Sequence, residues 1–530
     1  MNPRIRTDWL LLAGFCLFLF FYGLGSFGLV GADEPRYAQV AREMLARHDW
    51  ITPTLGGKAW LEKPALYYWQ AEIAYAVFGV QDWVARIPSA FDASLMVLAV
   101  YWFLRGRRSE VALDGALMVA SAAGVVGFAH AAATDMPLAA MFTIALLAWY
   151  EWWETGRQSL LAGFYVFLAL ATLAKGPVAP VLAGAIIVSF ALAAGRSSIV
   201  LKTLWPPGML IFFALILPWY VAVQVHNPEF FRVFILEHNL ARFGSNLYRH
   251  QQPFWFFIPV LVLSLIPWVV FACAGGWETF RAWRTERRAL FDSGDALSIF
   301  LLLWLVVPVV FFSVSQSKLP GYILPAIPAG PLLVAEYLRR HAEDELPIWG
   351  IAMHALIASG LLVPAVMIRY LVWQHRIPVG GSLIVTSIVA LVLAGGIAMV
   401  LRRAGWHMLR TATLIPVVLA VGVLVRVGAP AVDVTLSARP VAVELMRLDS
   451  RPLPVAVFGV SRETEYGLAF YRNQVIAQYA NGQPPWEEHL LVTTHDQLPA
   501  FAKLIGDRQV ELLGSFEPQG LDFLRVAEKK

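Results

Sequence analysis

The residues best suited to chemistry are acids and cations at the ends of long apolar segments. Asp33 follows the first such segment, Asp135 begins the fourth, and Lys175 ends the fifth. Two more lysines, Lys63 and Lys318, lie in connecting segments at the same end of the spans. A carboxylate can act as a general base, and a lysine ammonium binds phosphate as a compact point charge. The pattern indicates a catalytic site for an anionic substrate carried on a lipid.

The composition is that of a protein that crosses a membrane many times. Of its 530 residues, 58% are hydrophobic and only 15% are charged, whereas soluble domains carry about 25% charged residues. About thirteen segments between residues 10 and 427 approach the ~20 apolar residues that a spanning helix needs. The first follows Arg4 and Arg6 as a signal peptide would, but it is too long for one, so we expect it to stay in the membrane.

Basic residues cluster in alternate connections between the spans. Because cytoplasmic loops carry the excess of lysine and arginine, this alternation predicts a cytoplasmic N-terminus and places the candidate residues on the opposite face. An odd number of spans leaves the C-terminal segment on that face too. The clustered residues are Arg4, Arg6, Arg105, Arg107, Arg108, Arg157, Arg196, Lys202, Arg281, Arg284, Arg287, Arg288, Arg339, Arg340, Arg402, Arg403 and Arg410.

The chain divides into a membrane domain and a smaller external domain. Residues 1–430 form the membrane domain, which contains two long outer loops at 31–87 and 225–253. From residue 431 the apolar spans stop, and short buried strands alternate with helical stretches up to residue 530. We therefore predict an α-helical polytopic membrane protein with a small C-terminal α/β domain outside the cytoplasm.

Local patterns predict the elements of the loops and of the external domain. The first outer loop holds an amphipathic helix in the interface plane, a turn at Thr54-Leu55-Gly56-Gly57, and a second helix from Pro64. In the C-terminal domain, residues 455–460 and 489–494 are typical of buried strands. Helical stretches follow these strands at 463–472 and 497–506.

Several other kinds of chemistry lack support. Cys16 and Cys273 both lie in apolar spans, so neither a disulfide framework nor a CxxC metal site is available. No P-loop, HExxH or GxSxG motif is present, which leaves ATP use and serine hydrolysis unsupported. The basic residues flank the membrane, so we expect no nucleic-acid partner.

The candidate residues also have plain structural interpretations. Asp33 and Asp135 can each cap the helix beside them, which is worth about 1 kcal/mol, and Thr134 can take the same role. The outer lysines can extend to lipid headgroups instead of binding a substrate. A charge near the hydrocarbon is nevertheless expensive and usually faces a cavity or a partner, which favours a functional role for Asp135.

Six stretches occur in order from Gly23 to Ala329. They are GLGSFGLVGADEPRYAQVAREML, WITPTLGGKAWLEKPALYYW, ATDMPLAAMF, LAKGPVAP, EHNLARF and SKLPGYILPAIPA. As a set, they resemble the membrane-embedded GT-C glycosyltransferases, specifically the aminoarabinose transferases and bacterial relatives of the protein O-mannosyltransferases. This resemblance implies a GT-C fold of about thirteen transmembrane helices, two juxtamembrane helices in the first loop, and an external C-terminal α/β domain.

The resemblance also implies an activity and a location. A sugar would move from a polyprenyl (undecaprenyl) phosphate donor to an acceptor on the periplasmic side, either lipid A or another envelope glycolipid. The protein would be a monomer in the bacterial inner membrane, with its active site facing the periplasm. A protein O-mannosyltransferase-like activity is the alternative. A transporter or flippase for lipid-linked sugars is less favoured, because transporters place polar residues near the membrane midplane and the interiors of these spans are largely uncharged.

Site roles carry over from the matching motifs. Asp33 and Asp135 match the family's essential carboxylates, and we expect Asp33 to be the base or the group that orients the acceptor in a single inverting displacement. Glu62 and His238 match positions associated with a bound zinc ion in aminoarabinose transferases. The residues expected to bind the donor phosphate or sugar are Arg36, Lys63, Lys175, Arg242, Lys318 and Tyr322.

Overall fold

Helices follow the apolar segments of the sequence. The computed structural model describes residues 3–241, 252–292, 296–345, 347–363, 380–481, 485–506 and 508–528. Within these ranges, seven helices are long and apolar enough to cross a membrane, or nine if each of two bent pairs forms one span. The seven are Asp82–Arg107, Gln158–Lys175, Pro206–His226, Ala296–Val314, Pro320–Arg340, Ile384–Ala404 and Leu409–Leu436.

Two spans are sharply bent in the middle. The pairs are Ala112–Ser121 with Ala123–Ala129, bent by 61°, and Phe257–Leu265 with Val269–Arg287, bent by 113°. Pro267 lies in the second break, where its missing N–H and its ring prevent a continuous helix. The two breaks lie against each other, since the backbone N–H of Ala123 donates to the carbonyl of Ile266 (2.8 Å).

The other predicted spans also contain helices. These are Pro3–Cys16 with the π-helical turn Leu17–Phe21, Asp135–Thr155, Val178–Ala194 and Ile348–Gly360. The predicted polytopic helical fold is therefore confirmed. The span Ile384–Ala404 belongs to the helix Gly380–Ala404. Shorter pieces within or between the long helices are Ser198–Thr203, Phe231–Ala241, Pro320–Ala326, Ala329–Arg340, Gly405–Met408, Leu409–Val423, Leu424–Gly428 and Ala429–Leu436.

The first outer loop folds as two helices joined by a hairpin. The first loop helix, Asp33–Arg47, precedes strands β1 (Thr54–Leu55) and β2 (Lys58–Ala59), and the second loop helix is Leu66–Phe78. The apolar face of the first loop helix is buried against aromatic residues of the second, so most of it meets protein and not lipid. The second helix starts after Pro64, and the next span begins at Asp82, inside the predicted loop.

One carboxylate holds the hairpin to the first loop helix. Gly56 and Gly57 both have positive φ (61° and 74°), as the turn predicted from the sequence requires. Glu43 of the first loop helix accepts from the N–H groups of both glycines (2.8 and 3.1 Å) and from the hydroxyl of Thr54 (2.7 Å). The helix and the hairpin therefore form one rigid unit.

A buried ion pair ties the first loop helix to the second span. Arg86 is fully buried and donates to both carboxylate oxygens of Glu34, at 2.7 and 3.2 Å. Glu34 also accepts from the backbone N–H groups of Val30 (2.9 Å) and Ala132 (2.8 Å). The other donors of Arg86 reach backbone carbonyls at Leu24, Phe27 and Gly28. Both charges are therefore satisfied by hydrogen bonds, as burial in a low dielectric requires.

The C-terminal segment forms a mixed five-stranded sheet with helices. The strands are β3 (Val455–Phe458), β4 (Ala477–Gln478), β5 (His489–Thr494), β6 (Val510–Phe516) and β7 (Leu521–Val526), in the order β4-β3-β5-β7-β6. Strand β3 is parallel to β4 and β5, whereas β7 is antiparallel to β5 and β6. The helices are Arg439–Leu448, Arg462–Arg472 and Leu498–Ala502. The last span continues to Leu436, past the boundary predicted at residue 430, because Pro430 occupies a first-turn position that tolerates proline.

The helix Arg462–Arg472, hereafter the docking helix, packs on the first outer loop. Arg42 of the first loop helix donates to the carbonyl of Phe470 (2.8 Å). The hydroxyl of Tyr471 accepts from the N–H of Leu29 (2.8 Å) and donates to Asp82 (3.1 Å). The C-terminal domain is thereby fixed to the elements that begin and end the first loop.

Candidate active site

A cavity of about 1160 Å³ collects side chains from segments far apart in the chain. Its lining comes from the first loop helix, from the ends of several spans and from the docking helix. Eight of the ten residues that the sequence singles out line it: Asp33, Arg36, Glu62, Lys63, Asp135, Lys175, His238 and Tyr322. The geometry therefore brings most of the predicted residues into one pocket.

Asp135 and Lys175 form an ion pair at the cavity wall. Asp135 is the first residue of its helix, and Lys175 is the last residue of the next one. Lys175 Nζ lies 2.5 Å from Asp135 Oδ1, and the side chains are only 14% and 16% exposed, respectively. Neither Thr134 nor Asp135 makes a side-chain capping bond, so the capping interpretation is wrong here. The pair balances charge in a half-buried place where a single charge would be costly.

Tyr322 and Gly321 complete the wall around this pair. Lys175 Nζ lies 5.2 Å from the centroid of the Tyr322 ring, which is within range of a cation–π interaction. A Cβ atom at Gly321 would collide with the carboxylate of Asp135 and would lie 3.0 Å from the ring of Phe128. The backbone at Gly321 can therefore approach Asp135 only because the residue has no side chain.

Asp33 is paired differently and is much more accessible. It contacts Arg36 within the first turn of the first loop helix, and its side chain is 53% exposed against 12% for Arg36. It also makes no capping bond, because Ala32 occupies the cap position. The guanidinium of Arg36 lies over the rings of Trp60 (4.8 Å) and Tyr37 (5.3 Å). Asp33 therefore presents an open carboxylate that is held by a fixed cation.

Tyrosines next to Asp33 are not available as bases. Complete burial raises the pKa of Tyr37 well above its usual value, and the nearby charge of Asp33 adds to this rise. Burial likewise raises the pKa of Tyr68. Both phenols therefore stay protonated at physiological pH, and proton acceptance in this part of the cavity falls to the carboxylates.

Glu62 and His238 meet at the edge of the cavity, as predicted for a metal pair. His238 Nε2 lies 3.7 Å from Glu62 Oε1. Across the described ranges, no group of three or more His, Cys, Asp or Glu side chains is placed to hold a metal ion. Zinc sites in proteins use at least three protein ligands. The two side chains Glu62 and His238 do not meet that requirement.

Two predicted phosphate ligands are not among the lining residues. Lys318 is buried, and its Nζ donates to the carbonyl of Ser315 at 2.5 Å, so it holds its own loop together. Its neighbours Ser317 and Leu319 line the cavity in its place. Arg242 lies outside the described residues. Lys63 does line the cavity.

Sequence reasoning missed two contributions to the site. Glu34 also lines the cavity, where it pairs with Arg86. The sequence could have pointed to Arg86, because an arginine in a predicted outer loop opposes the positive-inside bias. Arg462 and Glu463 line the cavity from the docking helix. Nothing in the sequence indicates that the C-terminal domain reaches the site.

Comparison of sequences relates the chain to sugar transferases. A family model described as dolichyl-phosphate-mannose-protein mannosyltransferase matches residues 62–221. The undecaprenyl phosphate-alpha-4-amino-4-deoxy-L-arabinose arabinosyl transferase of Pseudomonas savastanoi pv. phaseolicola is 34% identical over 68% of this chain and 67% of its own length. The protein of the same name from Yersinia pestis is 29% identical over 66% of this chain and 62% of its own length.

Comparison of structures gives the same fold. The crystal structure of ArnT from Cupriavidus metallidurans bound to undecaprenyl phosphate has a TM-score of 0.81 at 22% identity, over 98% of both chains. The oligosaccharyltransferase of Archaeoglobus fulgidus has a TM-score of 0.51 at 13% identity, over 94% of this chain and 71% of its own.

The fold and the cavity together define a multi-pass membrane glycosyltransferase of the GT-C class. Within that class, the chain belongs to the family of undecaprenyl phosphate-aminoarabinose arabinosyl transferases. The family resemblance expected from the six motifs is thereby confirmed.

Proposed function

We propose that this protein transfers aminoarabinose from undecaprenyl phosphate to lipid A or another envelope glycolipid. The observation that carries the proposal is the single cavity in which Asp33, Asp135 and Lys63 meet. The names of the relatives support the donor, because they are undecaprenyl phosphate-linked aminoarabinose transferases. We place the protein in the bacterial inner membrane as a monomer, with residues 431–530 and the cavity on the periplasmic side.

The proposed reaction is a single displacement with inversion at the sugar. The polyprenyl phosphate is already a good leaving group, so the protein must position two lipids and stabilise the departing charge. Lys63, Tyr322 and the paired Lys175 all line the cavity and supply positive and polar groups toward the phosphate. Such preorganised groups are often the largest catalytic contribution. Asp33 accepts the proton of a hydroxyl acceptor, or orients the acceptor if it is an anionic phosphate. Asp135 supports the arrangement through Lys175.

A direct assay tests the donor and the acceptor together. The purified protein is incubated with undecaprenyl phosphate-aminoarabinose and lipid A, and the lipid products are analysed by mass spectrometry. We expect lipid A carrying one added aminoarabinose and the release of undecaprenyl phosphate. Comparing lipid A and envelope glycans from cells with and without the protein provides the matching result in vivo. An unchanged lipid A in both experiments would contradict the proposal.

The matching mannosyltransferase family model supports one alternative. In that case, a polyprenyl phosphate-mannose donor and a protein acceptor would react, whereas the aminoarabinose donor would not. Movement of the intact lipid-linked sugar across vesicles, without any transfer, would instead identify a transporter.

Substitution of Gly321 tests whether the position of Asp135 matters. An added methyl group must displace the Asp135 carboxylate, and a misplacement of about 1 Å can cost on the order of 10²-fold in rate. We therefore expect Gly321→Ala to lower the transfer rate by about that factor without loss of folded protein. Gly184→Ala is the matched control, because Gly184 lies in a helix with open space around its Cα. Equal transfer rates for the two variants would show that catalysis does not depend on the position of Asp135.

A further inference from the structure

The C-terminal domain contributes two charged side chains to the cavity that the proposed mechanism does not use. Arg462 and Glu463 begin the docking helix and line the cavity. Both residues are exposed. Neither forms a hydrogen bond or an ion pair with a residue in the described ranges. They are therefore free to meet a ligand.

The position of the docking helix next to Asp33 is fixed by contacts on several sides. Arg42 holds its C-terminal end through the carbonyl of Phe470, as described above. Closer to its start, the ring of Tyr466 lies 5.8 Å from the guanidinium carbon of Arg36, the partner of Asp33. The hydroxyl of Ser461 accepts from the N–H of Thr464 (3.3 Å) and caps the first turn. Arg462 therefore belongs to a helix whose position in the cavity wall is fixed by these contacts.

Arg462 differs from other cations of the cavity in its charge balance. Arg36 is paired with Asp33, and Lys175 is paired with Asp135. Each of those carboxylates offsets most of the attraction that its partner would have for an anion. Arg462 has no such partner in the described part of the chain. Its planar guanidinium can bind a phosphate group through two parallel hydrogen bonds.

The cavity has an apolar side and a polar side, which distinguish the two lipid substrates. Val178, Val181, Phe311 and Phe312 line it from two membrane spans. A polyprenyl chain must remain in apolar surroundings, so the donor enters on this side. Arg462 belongs to the domain that follows the last span, so it faces the side where a headgroup in water would approach.

The geometry points to Arg462 as a specificity-determining residue that binds a phosphate on the headgroup of the acceptor lipid. This inference rests on the proposed function, because it assumes a phosphate-bearing glycolipid acceptor. Glu463 weakens the attraction between Arg462 and the phosphate, because its neighbouring carboxylate repels the same phosphate. Substitutions of Arg462 and Glu463 should therefore change the affinity for the acceptor lipid in opposite directions.

Binding measurements without any transfer test the assignment. The probes are purified lipid A, lipid A with its phosphates removed, and undecaprenyl phosphate, each titrated against the full-length protein in detergent. A hydrogen bond to a charged group contributes roughly tenfold or more in affinity, so we expect Arg462→Gln to weaken lipid A binding by about that factor. Arg462→Lys should recover part of it, and Glu463→Gln should tighten binding about twofold. Undecaprenyl phosphate and dephosphorylated lipid A should bind all variants equally.

A control variant and kinetics complete the design. Arg472→Gln removes an arginine about 15 Å away at the other end of the docking helix, and we expect no change in binding. In transfer assays, Arg462→Gln should raise the KM for lipid A about tenfold and leave kcat and the donor KM within twofold of wild type.

The outcomes separate this inference from the proposed function. Wild-type lipid A affinity in Arg462→Gln, or weaker undecaprenyl phosphate binding in its place, would overturn the assignment. Failure of the wild-type protein to bind lipid A would overturn it as well. Wild-type protein that binds lipid A through Arg462 but transfers no sugar would support the binding site and contradict the proposed reaction alone.

Discussion

Asp33→Asn is expected to lower the rate of sugar transfer by about 10²- to 10⁴-fold, the range that a positioned general base contributes. Asparagine keeps the size of the side chain but cannot take a proton, and it no longer forms an ion pair with Arg36. The side chain is half exposed, so the protein should fold normally. Initial rates with purified donor and acceptor, together with size-exclusion profiles, measure the two effects separately.

Glu110→Gln is a suitable control for this experiment, because Glu110 is an exposed carboxylate in a connection on the opposite face. It should transfer sugar at the wild-type rate. Wild-type activity in Asp33→Asn would show that neither proton removal nor orientation of the acceptor depends on this carboxylate.

Arg86→Met is expected to be the most damaging single change to stability. It leaves the buried Glu34 carboxylate without its cation, and it also removes the donors that satisfy three backbone carbonyls. Breaking a buried pair in this way costs about 3–5 kcal/mol in the free energy of unfolding. Thermal and denaturant unfolding of the detergent-solubilised protein measure the loss.

A second substitution tests whether the unpaired charge is the cause. Changing Glu34 to Gln in the Arg86→Met background removes the buried charge, so the double variant should be more stable than Arg86→Met alone. Arg447→Met is the surface control. Arg447 pairs with Glu444 on an exposed helix face, where an ion pair contributes little. A double variant no more stable than the single one would mean that packing, and not charge, sets the effect.

Much of the fold can be predicted from the sequence because its apolar segments and turn residues form strong patterns. Span length predicts the helices of the membrane domain, and Gly56 and Gly57 correctly mark the turn in the first loop. Asp33 and Asp135 can be identified from the sequence because a charge beside the hydrocarbon is costly and usually has a functional role. Their partners are harder to predict. Asp33 pairs within its own helix turn, but Asp135 pairs with Lys175 from the next span, and only helix packing determines that contact.

Lys318 and Arg462 show two opposite failures of prediction from the sequence. Lys318 is expected to line the cavity and does not, whereas Arg462 is not expected there and does. Lys318 has the position expected of a phosphate ligand, yet its buried ammonium donates to the carbonyl of Ser315, three residues earlier. Arg462 has no distinguishing pattern around it, and its role depends on how the C-terminal domain docks. Periodicity and charge counts predict neither a short local turn nor a contact between segments about 430 residues apart.

The hydroxyl of Tyr471 accepts from the N–H of Leu29 and donates to Asp82, and this contact has a consequence for biosynthesis. The first loop is synthesised early, but the tyrosine that completes its hydrogen bonds is synthesised more than 400 residues later. This contact between the first loop and the C-terminal domain can therefore form only after the ribosome has synthesised most of the polypeptide. Chains that end before Tyr471 lack this contact, so we expect the first loop to be held less firmly in them than in the full-length protein.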